Sequence, residues 1–381
     1  MLSRLAIPWF ATLALSATPF AMGMLVVADV AAGAAGSLLL GSVVDRTGKR
    51  AVMLASDIAR AGLLGLLAWL AVMQQLAFWM LVLAAAASGL LTVAFELARS
   101  AWVAQGVDAS ALPARNAQIS AGGSLAETAA FAVGGWVYQW LGAVLALLVD
   151  AASYVLSALC LSGVREIAPA RTPPQAPREL LRSLLAETRA GVDATRAVPT
   201  LRTIAGIEVL VALGVSFGST SYMIFVARDL GFATGALGMI FATGGVGSLA
   251  GAALAPRLGR RLGSGGAMFL GLSLLALGTA CLPLAPSATV MGVVLLVAHQ
   301  VVGDGGYTVH EVHDRTLRQT AVSADLLARV DGAIRTFGKV TTLLGAILGG
   351  ALATWLGARH ALALAAALYA AAAAVAYVRL R

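Results

Sequence analysis

Charge is what this 381-residue sequence has least of: Asp, Glu, Lys and Arg make up 12% of it, where a soluble globular chain has about a quarter. Hydrophobic residues make up 60%, more than a water-facing surface can dilute, so a soluble fold of this length is excluded. Cysteine is almost missing. Cys160 and Cys281 lie far apart inside apolar runs with no His or Cys at ligand spacing, which indicates neither a disulfide framework nor a metal site. Acids are outnumbered by bases, 18 to 26. In a soluble chain the resulting +8 would suggest nucleic acid. Here the bases punctuate apolar segments instead of forming a patch, so they belong to loops and no nucleic-acid partner is expected. No His/Asp/Ser or metal constellation clusters at any one place, so neither an enzyme nor a cofactor is expected. A Walker A loop is missing too: Gly338-Lys339 lacks the spaced glycine, Phe337 standing where it would be.

What is there is a series of apolar runs. They cover about 20–44, 51–73, 77–104, 118–139 and 143–164, then 203–227, 233–255, 265–283, 288–308, 331–354 and 360–378. An additional run at the N-terminus ends near Ala17, short of the roughly 20 residues that cross a bilayer. It reads as a retained but short or clipped first span, although Ala14-Leu15-Ser16-Ala17 also has the form of a signal-peptidase site. The expectation is an all-α, polytopic membrane protein of twelve transmembrane helices. Between the sixth and seventh spans, Pro169, Pro173, Pro174 and Pro177 make a linker followed by Arg178-Glu179-Leu180-Leu181-Arg182-Ser183-Leu184-Leu185. That pattern is an amphipathic helix, lying on the membrane surface or on the helix ends. The chain thus divides into an N-terminal six-helix bundle (1–164), a cytoplasmic linker (165–200) and a C-terminal six-helix bundle (201–381). Segments at one side of this layout, helix ends included, carry 23 basic residues and those at the other carry 2, which puts both termini in the cytoplasm.

One short turn organises the rest. Gly41-Ser-Val-Val-Asp45-Arg46-Thr-Gly48-Lys49-Arg50 joins the second and third spans. Gly41 lets a helix end approach a neighbour, Gly48 permits a tight reversal, and the bases sit where anionic headgroups favour them. Its pattern returns. Arg46, Gly48, Lys49 and Arg50 reappear as Arg257, Gly259, Arg260 and Arg261, with Pro256 in the place of Asp45, and Gly134-Gly135 recur as Gly349-Gly350. A parallel repeat of this kind implies two bundles related by a pseudo-two-fold axis along the membrane normal, with a central path.

Twelve spans, a long inner linker and the Gly-x-x-x-Asp-Arg-x-Gly-[Lys/Arg]-[Lys/Arg] loop together resemble a major facilitator superfamily transporter. Other stretches resemble the branch of macrolide-efflux proteins and the enterobactin exporter: Ala114-Arg115-Asn116-Ala117, Asp150-Ala151-Ala152-Ser153-Tyr154, and Leu317-Arg318-Gln319 followed by Gly332 and Arg335. The resemblance implies that Asp45 pairs with the positive end of the eleventh span and with nearby arginine. An anion there gains roughly 0.3 to 2 kcal/mol, enough to bias two states of similar energy. Gly41, Asp45, Arg46, Gly48, Lys49 and Arg50 are then a conformational latch. The antiporter motif of the fifth span is altered, with Phe131-Ala132 ahead of Val133-Gly134-Gly135.

Ionisable groups inside spans are costly, so each is a functional candidate. Asp29 and Glu127 fall near mid-membrane and are candidates for proton coupling or cation binding, or else for structural hydrogen bonds. Glu208 and Asp304 are candidates to line the path, with Phe10, Phe95, Phe217 and Tyr222 as apolar contacts. Lys339 reads as a counter-ion or as a side chain snorkelling to the helix end. Asp57 and Arg60, three apart, read as a structural pair, and Asp150 as a packing residue. His299 and His310 read as satisfied imidazoles. Glycine pairs 247/251 and 345/349 have the spacing of close helix contacts.

The expected function is a monomeric secondary transporter in a bacterial inner membrane, a proton-coupled exporter of amphipathic small molecules (drug, macrolide or siderophore-like). The alternative is a permease or assembly component served by a separate ATPase, or a non-transporting receptor.

Overall fold

In the computed structural model, residues 7–40, 44, 47–106, 108, 111–164, 166 and 177–380 are described, and every regular element among them is helical. Helix starts follow local chemistry. The hydroxyl of Thr18 accepts the Ala21 N–H at 3.2 Å with Pro19 in the first turn, which sets the start of α2, Pro19–Leu39. Before it, residues 7–9 run into the π turn Phe10–Ala14, together α1. Then follow α3, Lys49–Val72, and α4, Phe78–Gly106.

The segment Leu112–Ser162 is 51 residues long; as one straight helix it would measure about 77 Å, more than twice the hydrocarbon thickness. Gly142, at φ 77 and ψ 174, breaks it into α5 (112–141) and α6 (143–162). Gly263, at φ 70, divides Thr234–Leu284 in the same way into α9 (234–262) and α10 (264–284). Between these pairs lie α7, Pro177–Ala197, and α8, Pro199–Ile224, which ends in the π turn Phe225–Asp229. Three more helices complete the chain: α11, Val290–Ala321, with its π turn His299–Gly303, then α12, Ala324–Leu356, and α13, Ala358–Leu380. Large apolar side chains face outward along them, Val290 at 82% and Trp355 at 90% exposure, as lipid-facing positions require.

Two boundaries depart from the hydropathy reading. The apolar signal stops near 308 and resumes near 331, yet α11 continues to Ala321 and α12 starts at Ala324. The reason is side-chain pairing. Val309, His310, His313, Asp314 and Arg318 form a buried face, so residues that look like a loop by composition are an amphipathic helical extension.

The chain forms two compact units, residues 1–173 with 233–239, and residues 174–232 with 240–381. In the first, α2 meets α4 through glycines: a Cβ on Gly89 would lie 2.3 Å from the Asp29 carbonyl oxygen. Val44, Met53 and Ala98 form a small core beside Phe95 and Leu161. In the second, Ile207, Val211, Met268, Leu272, Tyr369 and Ala372 form the core. Small residues again set the spacing. A Cβ on Gly247 would stand 2.4 Å from the Val301 carbonyl oxygen, and one on Gly251 2.3 Å from that of Gly305. A Cβ on Gly345 would come 2.9 Å from Ser216, and one on Gly349 2.6 Å from Phe217. The amphipathic α7 docks on the start of α12: Gly191 lies against the Arg329 carbonyl, and Ala194 and Val198 join Leu201, Ile204, Val330 and Ile334.

These contacts set opposite outcomes for similar substitutions. Gly247→Ala and Gly251→Ala force backbones apart and should lower the melting temperature in detergent. Gly206→Ala and Gly218→Ala, helical positions with no atom within 4 Å of the added carbon, should be neutral or stabilising by about 0.5–1 kcal/mol.

Candidate functional site

Gly41, Asp45 and Arg46 lie outside the described residues, and the rest of the hairpin is held from within the first unit. Gly48 precedes α3 and has no side chain to cap it. Glu166 supplies the cap instead, its Oε1 accepting the Arg50 N–H at 3.1 Å and its Oε2 the Ala51 N–H at 3.2 Å. A Cβ on Gly48 would come 2.8 Å from that carboxylate. The bases do not all face headgroups. Lys49 is fully buried, Nζ donating to the Val44 carbonyl at 2.5 Å and to that of Thr47 at 3.3 Å. Arg50 donates from Nε to the Leu161 carbonyl at 3.1 Å and from Nη2 to that of Ser162. The turn is therefore fastened to the end of α6, and nothing in its local sequence signals Glu166.

Asp57 and Arg60 form an ion pair at 3.4 Å, both nearly out of solvent. Ser157 donates to Asp57 at 2.6 Å, and the Arg60 guanidinium lies over the rings of Phe95 and Tyr154 at 5.5 and 5.2 Å. The ring of Phe95 is thus engaged by a structural cation. Phe10 is buried in the turn of α1. Asp29 is exposed on α2, its carboxylate beside Gly89, and Glu127 is half-buried on α5. Asp150 is buried and accepts from the Ser153 hydroxyl at 3.1 Å.

Two groups of polar side chains stand out in the second unit. At the far end of α11, Arg318 pairs with Asp314 one turn earlier and with Asp331 of α12 at 3.0 Å. Glu208 of α8 rests on Gly338, where a Cβ would come 2.6 Å from its Oε1, within range of Arg318 and Arg335. Lys339 is exposed.

The other group surrounds the π turn of α11. Tyr222 packs against Phe241 at 5.5 Å and, edge on, against His299 at 5.4 Å. Gln300 donates to the Phe241 carbonyl at 3.3 Å. The carboxylate of Asp304 fills the notch above Gly244, 2.1 Å from where a Cβ would be, and lies near enough to Tyr222 to act on it electrostatically. Phe217 is buried separately against Gly349. Of the path candidates, then, Tyr222 and Asp304 come together, while Glu208 belongs to the arginine cluster. The histidines are not the satisfied imidazoles expected: Nδ1 of both His299 and His310 is buried without a partner. Their isolated positions in sequence carried no signal of this. Among the described residues, no three His, Cys, Asp or Glu are placed to hold a metal ion.

Long apolar helices in two units, with glycine-set crossings and paired internal charges, define a multi-pass membrane protein of the transporter class. The Major Facilitator Superfamily matches residues 1–313, and the chain belongs to that family. It is a transporter and not an enzyme. The fold is that of the twelve-helix, two-domain transporters. The nucleoside transporter NupG is 16% identical with a TM-score of 0.74, over 100% of this chain and 95% of its own. A bacterial homologue of the human lysosomal transporter Spinster, inward-facing and unoccupied, is 14% identical with a TM-score of 0.75, over 99% and 93%. A bacterial homologue of the iron transporter ferroportin, inward-facing, is 15% identical with a TM-score of 0.64, over 98% and 96%. No curated protein matches. Neighbours named for nucleosides and for iron share this fold, so the fold does not select the cargo.

Two substitutions test the internal fastening. Glu166→Ala should lower stability by about 0.5–2 kcal/mol through loss of the α3 cap. Arg318→Gln leaves two carboxylates without their cation and should cost about 3–5 kcal/mol, read as a lower melting temperature that Asp331→Asn restores in part.

Proposed function

We propose that this superfamily member is a proton-coupled exporter of amphipathic small molecules, related to the macrolide-efflux and enterobactin-exporter branch. It works as a monomer in a bacterial inner membrane with both termini in the cytoplasm. One observation supports the reading above the others: acidic side chains stand inside apolar helices, Asp29 on α2 and Glu127 on α5, where an ionised carboxylate is expensive and a proton removes the cost. Binding and release of protons at these groups then accompanies alternate opening of the path to the two sides. Asp45, with Gly41, Arg46, Gly48, Lys49 and Arg50, acts as the latch that biases one of those states. Bonds from Lys49, Arg50 and Glu166 hold the second arm of the hairpin rigidly, as a latch needs. The largely apolar composition of the spans suits amphipathic cargo.

The test is flux of a chemically diverse panel in proteoliposomes with an imposed proton gradient. A protonophore should abolish accumulation, and Asp29→Asn and Glu127→Gln should each reduce gradient-driven flux at least about tenfold, one decade corresponding to 1.4 kcal/mol. Asp45→Asn should lose transport while retaining substrate binding. Accumulation indifferent to the gradient and to both carboxylate substitutions would remove the coupling, and a requirement for ATP would favour a separate ATPase.

A further inference from the structure

Three hydrogen-bonding groups converge at the π turn of α11, and what they have in common is unused acceptor capacity. The Asp304 carboxylate lies fourteen residues into a helix of 32 residues, well inside the apolar zone. Among the described residues no hydrogen bond or ion pair reaches that carboxylate, and no cationic side chain acts on it. Glu208, another acid of the same unit, has Arg318 and Arg335 nearby. Asp304 has none.

Beside it the Tyr222 hydroxyl is buried without a partner, and so is Nδ1 of His299. The backbone hydrogen bond of the imidazole goes to Gly278; in a neutral ring one nitrogen donates and the other accepts, so Nδ1 is left as the lone-pair nitrogen. Gln300, which has N–H groups to offer, already donates to the Phe241 carbonyl. Gly244 lets the carboxylate sit against the α9 backbone, since even a Cβ would be 2.1 Å from Oδ2. The aromatic faces of Tyr222 and Phe241 form the adjoining wall. A π turn inside a helix costs regular hydrogen bonding and recurs at functional sites; here it sets His299 and Gln300 on the stretch that leads into Asp304.

We propose that this cluster binds the protonated amine of an amphipathic cation. A carboxylate and a lone-pair imidazole nitrogen require a donor, the hydroxyl of Tyr222 can serve as another acceptor, and aromatic faces favour a positive charge. An ammonium group meets all of these, and its charge offsets that of Asp304 inside the membrane. The apolar remainder of the cargo lies along the rings. This assignment rests on the transporter reading above and narrows its cargo to amines.

The experiment is equilibrium binding to the full chain in detergent, using radiolabelled 4-phenylbutylamine and its neutral isostere 4-phenylbutanol. The amine should bind saturably and at least about tenfold more tightly than the alcohol, as expected when a charge-assisted hydrogen bond is lost. Asp304→Asn should weaken the amine by roughly 10- to 100-fold, and Tyr222→Phe and His299→Phe by smaller factors, with alcohol binding unchanged. Equal affinities for amine and alcohol would overturn the assignment, as would amine binding unaffected by Asp304→Asn or the lack of any saturable amine binding. If Asp304→Asn does not fold, the amine-to-alcohol ratio on the unsubstituted chain decides. No gradient enters the measurement, so it judges the cluster whether or not flux proves to be proton-driven.

Discussion

A charge inside hydrocarbon must be paired, neutralised or used, and this condition arranges the interior of both units. Arg60 is the clearest case. It has an ion pair with Asp57 and two aromatic rings over its guanidinium, while Asp57 takes a second bond from Ser157. Arg318 meets the same demand by joining two acids from different helices. In each unit the paired charge also links two helices, α3 to α6 through Ser157 and α11 to α12 through Asp331.

Close approach is the second condition. Without water there is no hydrophobic drive to bring helices together, so contact area has to come from backbones that nearly touch. The α9–α11 crossing does this at Gly247 and Gly251, and the α8–α12 crossing at Gly345 and Gly349. The glycine at position 244 belongs to the same series but faces a carboxylate instead of a backbone. That difference lets the packing stripe take in a charged group.

Much of the architecture was legible from residue order. Long apolar runs, the basic bias of one set of loops and the Gly41–Arg50 turn led to a twelve-span transporter, because span length and loop charge are set by the bilayer and need no tertiary contact to be seen. The pairing of Asp57 with Arg60 was legible too, since three residues is one helical turn. The helical extension through Val309 to Ala321 was not: beyond the Asp314–Arg318 pair, its polar residues find partners on α9 and α12, remote in sequence. Glu166 escaped notice for a related reason, lying 116 positions from the N–H it caps.

The sequence by itself determined that the chain lives in a membrane, how many times it crosses, and which acids stand where they are expensive. Those properties are sums over local composition. Only the tertiary structure decided which of the acids are compensated: Glu208 came to rest near two arginines, and Asp304 near a tyrosine hydroxyl and a histidine Nδ1 that have no hydrogen-bond partner. Compensation depends on distances between helices remote in sequence, and those are set by small residues and side-chain shape at the crossings.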